Sequence, residues 1–390
     1  MENKVIYLDN AATTRVSDEV FAEMEPYLKN KYGNASTIYS LGRESAVALK
    51  NARERIAACF GCDSKEIFFT GGGSESNNWA IKSAAELMSE KGQKHIISSV
   101  FEHHAVLHVL QTLERKGFDV TYLPVGERGL IDMSDLKAAI RPDTGLVTVM
   151  YVNNEIGTIQ PIDEIGALCQ THGILFHTDA VQAVGNIPIN VDNISLLSCS
   201  AHKIHAMKGL GLLYVDKKIK LPAFIEGGAQ ELGMRAGTEN IAGIVGFALA
   251  VESAFRDIEK KREKLLSFKN KIIDSVLKQS HVRVNGDVEK SVASIVNFSF
   301  EGIEGESLLL MLDLKGIAAS SASACTSGSL EPSHVLLALG MSHETAHGSL
   351  RISMSDYTTQ SEIDYFLAQL PPMVQKLRNM SPTWEKLERK

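Results

Sequence analysis

Short apolar runs alternate with amphipathic stretches between residues 66 and 215, and this alternation constrains the chain most. Glu66–Thr70, His95–Val100, Asp119–Pro124, Leu146–Val152, Ile174–His177, Leu196–Ser200 and Leu212–Val215 read as strands. Asn77–Met88, Ala105–Lys116, Ser134–Ile140 and Ile162–His172 read as helices between them. Parallel strands need a covering crossover, so this order predicts a three-layer α/β fold with a mostly parallel sheet. In such sheets ligands gather at the carboxyl ends of strands. Those ends carry Glu102-His103, Asn153-Asn154, Asp179 with Gln182, and Ser200-Ala201-His202-Lys203.

The flanks extend this frame. Val5–Leu8 reads as a short strand, and Glu19–Leu28 and Arg43–Phe60 as helices. One helical region is expected over about Ile241 to Gln279, with the charge run Arg256–Lys264 as a solvated face. Ser294–Phe300 alternates as a strand, and Ser307–Leu314 and Ser333–Leu339 read as helices. Thr359-x-x-Glu362 is a capping box opening a last helix, which Pro371-Pro372 is expected to kink or end. The predicted division is a large domain over 15–255 and a smaller α+β domain from 1–14 and 256–390.

The net charge of −7 offers no broad basic field for nucleic acid. Neither a basic-then-apolar leader nor an apolar run of membrane-spanning length is present, so a cytoplasmic protein without a membrane partner is expected. Five cysteines at irregular spacing do not suggest a disulfide framework. Cys59-x-x-Cys62 is half a zinc site at best, and no metal site is expected.

Lys203 is the residue whose surroundings ask for chemistry. An amine at a strand end could anchor an aldehyde cofactor as a Schiff base. Pyridoxal phosphate would then need a phosphate cradle, a carboxylate at the pyridine nitrogen, donors to the phenolic oxygen and a flat partner for the ring. Gly71-Gly72-Gly73-Ser74, between a strand and a helix, supplies amides and a helix dipole, with Ser200 and His202 beside the lysine. Asp179 suits the pyridine nitrogen, Gln182 and Asn154 the phenolic oxygen, and His103 the ring face. Each has a plainer reading: Asp179 or Ser74 as a cap, His103 as a satisfied core histidine. Their shared placement at strand ends favours the cofactor. Cys325 stands in Ala318–Ser329, nearly all Ala, Ser, Gly and Thr, which reads as a mobile loop. A thiolate there can act as a nucleophile. Arg351, in the apolar run Leu350-Arg351-Ile352, can hold a carboxylate or form a structural salt bridge.

These motifs resemble the cysteine desulfurases of the NifS and IscS type, fold-type I pyridoxal-phosphate enzymes. The resemblance runs from Tyr7–Thr14 through Glu102-His103, Val152–Gly157, Asp179–Gln182, Ser200–Lys203 and Arg235–Asn240 to the Cys325 loop. It implies pyridoxal 5'-phosphate held by Lys203, with Asp179, Gln182 and His103 on the ring. Gly73, Ser74, Ser200 and His202 then serve the phosphate, and Thr238 reaches it across a homodimer. Asn34 and Arg351 are implied as binders of the substrate carboxylate, with Asn154 nearby. The implied reaction takes L-cysteine to L-alanine. Lys203 removes the α-proton, Cys325 attacks the substrate sulfur, and the persulfide passes to an iron–sulfur scaffold or another acceptor protein. Cys325 as a transient cluster ligand stays open. Selenocysteine lyase activity and a non-catalytic scaffold are the alternatives. The chain departs from the family pattern at Ala35, Ala206-Met207, Ala229, Leu232, Ala322, Leu337 and Ser355.

Overall fold

The computed structural model describes residues 5–321 and 331–382, with Trp384 and Leu387. The expectations for Cys325 and Ala322 lie outside the described residues. The strands are β1 (Ile6–Tyr7), β2 (Ile67–Thr70), β3 (His95–Ser99), β4 (Asp119–Leu123), β5 (Thr144–Thr148), β6 (Leu175–Asp179), β7 (Leu196–Ser200), β8 (Gly211–Val215), β9 (Val282–Asn285), β10 (Ile295–Phe300), β11 (Ile317–Ala318) and β12 (Ser349–Ser353). The α-helices are α1 (Asp18–Lys29), α2 (Ser40–Phe60), α3 (Gly73–Glu90), α4 (His104–Glu114), α5 (Met133–Ala139), α6 (Ile162–His172), α7 (Ile241–Phe255), α8 (Ile258–Val276), α9 (Gly305–Asp313), α10 (His334–Ala338), α11 (His343–His347) and α12 (Gln360–Met380).

The large sheet has the order β2-β8-β7-β6-β5-β3-β4. Its β7-β6-β5-β3-β4 portion is parallel, as the alternation predicts. β8 is antiparallel to β7 and β2; between β7 and β8, residues 201–210 turn the chain straight back with only one 3-10 turn, Ala201–Lys203, and no crossover helix. That turn carries Lys203.

Adjacent strand residues face opposite layers. Phe69, Ile97, Val147, Phe176, Leu197 and Leu212 join one core with α1, α2, α6 and α7. Phe68, Ile96, Leu146, Leu196 and Leu213 join the other, under α3 and α4. Near-continuous apolar runs are what a sheet covered on both faces requires. A third cluster binds Leu8 to the antiparallel sheet β12-β10-β9 and to α8, α9 and α12. Through Leu8 and the β1–β11 pair, the segment Ile6–Leu8 belongs to this second layer system.

Three local expectations change. The single helix over 241–279 is two, broken where Asp257 adopts φ +54°. α7 is buried almost all round in the large core, whereas α8 serves the third cluster, so the chain must redirect there. α12 runs through Pro371-Pro372 to Met380 and does not end there. Burial of Phe366, Leu370, Met373 and Val374 on one face offsets the lost backbone bonds. Finally, α3 starts at Gly73, four residues before the expected Asn77, so Gly73 and Ser74 lie in its first turn.

The departures Ala206-Met207 and Leu232 are accommodated. Ala206 is buried in the large core, and Asn240 Nδ2 lies 3.6 Å from Met207 Sδ, against the start of α7. Leu232 sits at φ +59° beside Glu231, whose carboxylate takes two bonds from Arg53, at 2.7 and 2.9 Å, and one from Phe69 N at 2.8 Å.

Candidate active site

A cavity of about 480 Å³ opens at the carboxyl ends of the parallel strands. Gly73, Ser74, His103, Asn154, Asp179, Gln182, Ser200, His202, Lys203 and Arg351 all line it. Strand geometry explains the convergence. β6 ends on Asp179 and β7 on Ser200, and the short turn after β3 leads into the cap of α4, His103.

The floor begins at α3. Gly72 has φ +152°, outside the range of ordinary side chains, and turns β2 into the helix. A Cβ on Gly73 would lie 2.7 Å from Val181 and 3.4 Å from Ser200, so only glycine lets helix and strand end approach this closely. The first backbone amides of α3 therefore lie at the cavity, next to Ser74, Ser200 and His202. Desolvation first, then Lys203 and Lys208, lower the His202 pKa to about 4, so its ring is neutral.

Lys203 Nζ donates to Ala11 O at 2.5 Å and Ala12 O at 2.9 Å, both in the turn after β1. Ala11 O also accepts from Gln182 Nε2 at 2.8 Å. The turn is zipped onto the lysine segment by Thr14, whose N and Oγ1 both donate to His202 O at 2.9 Å. His205, two residues past the lysine, is held at φ +66° by its N–H bond to Thr14 Oγ1.

Asp179 is buried. Its Oδ1 accepts from Val181 N at 3.0 Å and its Oδ2 from Asn77 Nδ2 at 2.6 Å. The plain capping role and the exposure to the cavity thus coexist. His103 Nδ1 accepts from Ala105 N at 3.1 Å, and burial, partly opposed by Asp179, lowers the pKa of the ring.

Arg351 lies on β12 and is buried. Its Nη2 donates to Asp9 Oδ1 at 2.7 Å and its Nη1 to Asn154 O at 2.9 Å. The salt bridge left open in the sequence is therefore present, inside the cavity.

Asn34 and Thr238 do not line the cavity; both are exposed in the single chain, and Asn34 Oδ1 accepts from Ser36 N. Residues that the sequence pattern does not single out are Asn77 and Asp9. Asn77 is four residues after Gly73, hence on the same helix face, which was the available signal. Asp9 belongs to the quoted turn but has no spacing that ties it to position 351.

Glu102, behind His103, is fully buried and accepts from Ser99 and from Met150 N. Burial pushes its carboxyl up to about 8 despite those bonds. A carboxyl raised in the folded state keeps a proton that the unfolded chain has lost. Its contribution is full below about 4.5 and is lost as pH rises through about 8. Glu102→Gln is expected to gain on the wild type in urea unfolding midpoint as pH rises from about 5 to about 8. A gap that stays constant with pH would show an ionised Glu102.

The comparisons with known proteins agree with this geometry. The class-V aminotransferase family model matches residues 6–366. A protein of Methanosarcina thermophila named cysteine desulfurase IscS is 51% identical over 383 residues, covering 98% of this chain and 95% of its own. A solved NifS-like protein superposes with a TM-score of 0.90 at 36% identity, covering 96% of this chain and all of its own. The structure of SspA in complex with cysteine does so with a TM-score of 0.80 at 38% identity, over 90% of this chain and 99% of its own. The chain belongs to the class-V aminotransferase family and stands within it among the cysteine desulfurases.

Proposed function

We propose that the protein is a pyridoxal-phosphate-dependent cysteine desulfurase that forms L-alanine and passes sulfur from Cys325 to an acceptor protein. The observation that carries this reading is the convergence of Lys203, Asp179, His103, the start of α3 and Arg351 on one cavity. The donors fit the cofactor. The close approach at Gly73 leaves helix amides for a phosphate. Asp179 offers a buried carboxylate for the pyridine nitrogen, and Asn77 Oδ1 is a buried acceptor with no partner among the described residues.

When bound, pyridoxal phosphate supplies an electron sink for the substrate α-carbon. The chain supplies the rest. Ser74, Ser200 and neutral His202 hold the phosphate, with Gly73 beside them. Asp179 keeps positive charge on the ring, while Gln182 and Asn154 serve its oxygen and His103 its face. Lys203 anchors the cofactor and moves the α-proton. Arg351, with Asn34, takes the substrate carboxylate. Cys325 thiolate attacks the cysteine sulfur; the carbon–sulfur bond breaks, a sulfur–sulfur bond forms, and the displaced carbon is protonated to give L-alanine. L-cysteine and one enzyme thiol thus become L-alanine and one persulfide, with no outside oxidant or reductant.

The reading includes a homodimer in which Thr238 reaches the partner's phosphate site. Exposed Tyr32, Ile38, Tyr39 and Leu232, near Asn34 and Thr238 in sequence, support a face covered by a second copy. It also keeps the division into 15–255 and 1–14 with 256–390, which the separate third cluster supports, although Val292, Ile295, Val335, Leu336 and Ala346 pack in the large core. The acceptor is an iron–sulfur scaffold or another sulfur carrier.

The protein supplied with pyridoxal phosphate is expected to release L-alanine from L-cysteine and to accelerate with its own acceptor. Release from selenocysteine alone would make it a selenocysteine lyase. No release from either, with cofactor bound, would leave a scaffold.

A further inference from the structure

Asp9, paired with Arg351 inside the cavity, has no part in the reaction as written. We infer that Asp9 is a built-in competitor for the substrate carboxylate, occupying the Arg351 edge that the substrate must take. This rests on the reading of Arg351 as the carboxylate holder.

Both residues line the same cavity as Lys203 and Asp179. The Arg351 side chain is 4% exposed and that of Asp9 20%, so their contact is only weakly screened. Asp9 engages Nη2 alone, through Oδ1 at 2.7 Å. The adjacent donor on that edge, Nε, is buried with no partner among the described residues. Nη1, on the far side, is fixed by Asn154 O.

A guanidinium edge made of Nε and Nη2 matches a carboxylate with two parallel bonds. Asp9 fills half of it. An incoming carboxylate that takes both donors gains the bond Asp9 cannot make, and so displaces it. The orphaned Nε sets the direction of the exchange. Asp9 in turn keeps a buried cation compensated between turnovers, since an unpaired buried charge is strongly destabilising. A ligand with no carboxylate gains nothing from Arg351 and leaves the pair intact.

The affinity of a ligand for a site that is partly self-occupied falls by the occupied share. Removing the Asp9 charge therefore tightens carboxylate ligands selectively. In holoenzyme carrying Asp9→Asn, the KM for L-cysteine and the calorimetric Kd for L-alanine are expected to fall roughly 3- to 30-fold. Binding of cysteamine, which has the amine and thiol but no carboxylate, is expected to change by less than about twofold. In Asp9→Asn combined with Arg351→Lys the gain should disappear. Asp9→Ala repeats the test should the Asn variant fold poorly. An Asp9→Asn KM that is unchanged or higher, with Arg351→Lys raising KM, overturns the inference and leaves Arg351 as the carboxylate holder. A KM unmoved by Arg351→Lys removes both.

Discussion

Lys203→Ala is expected to give a folded, colourless protein that forms no L-alanine from L-cysteine. In the proposed mechanism the amine carries two roles, anchor of the cofactor and carrier of the α-proton. No other lysine lines the cavity among the described residues. Loss of a positioned base alone costs about 10²–10⁴-fold, and loss of the anchor adds to it. The fold should persist. The substitution removes the bonds to Ala11 O and Ala12 O, but Thr14 still ties the turn to His202 and His205. A stability change of about 1–2 kcal/mol is expected, read from urea unfolding. Lys203→Arg keeps the charge but cannot form the imine, and should be as inactive. A yellow Lys203→Ala protein that borohydride bleaches would place the anchor elsewhere.

Cys325→Ala is expected to bind pyridoxal phosphate and L-cysteine normally and yet form no persulfide. In the proposed mechanism the thiol is a reactant, the group that receives the sulfur, so the loss in sulfur transfer should be complete within detection. The other cysteines cannot replace it. Cys169 and Cys199 are buried, and burial pushes each thiol up to about 12, far from thiolate at neutral pH. Cys62 is pushed up to about 12 as well, and burial also raises Cys59. None of these four lines the cavity. Normal L-alanine production by Cys325→Ala would show that another group removes the sulfur.

The large sheet was legible because its strands are largely apolar runs, and several of the polar residues that close them line the cavity. Asp179, Ser200, His103 and Lys203 could be placed from strand ends alone. Asp9 could not, since it reaches Arg351 only through the pairing of the N-terminal segment with β12, 342 positions apart. Asn77 was hidden because its helix starts earlier than the glycine run suggests, which moves Gly73 and Ser74 from loop to first turn. The break at Asp257 and the passage of α12 through two prolines follow from which core each segment joins, a tertiary matter that local propensity does not carry. Asn34 and Thr238 stay apart from the cavity in one chain, and only the proposed homodimer would give Thr238 its role there. Ala206-Met207, a departure read from sequence, proves to be packing: Ala206 in the large core and Met207 against α7.

The central claim is that Lys203 and Cys325 act on one substrate in one cavity. It is tested most directly by a single turnover of the holoenzyme with L-cysteine, without acceptor or reductant, followed by mass analysis of the Cys325 peptide and assay of L-alanine. One L-alanine per active site and the gain of one sulfur atom on Cys325 are expected. L-alanine formed with Cys325 unmodified, or sulfur found on another cysteine, would contradict it.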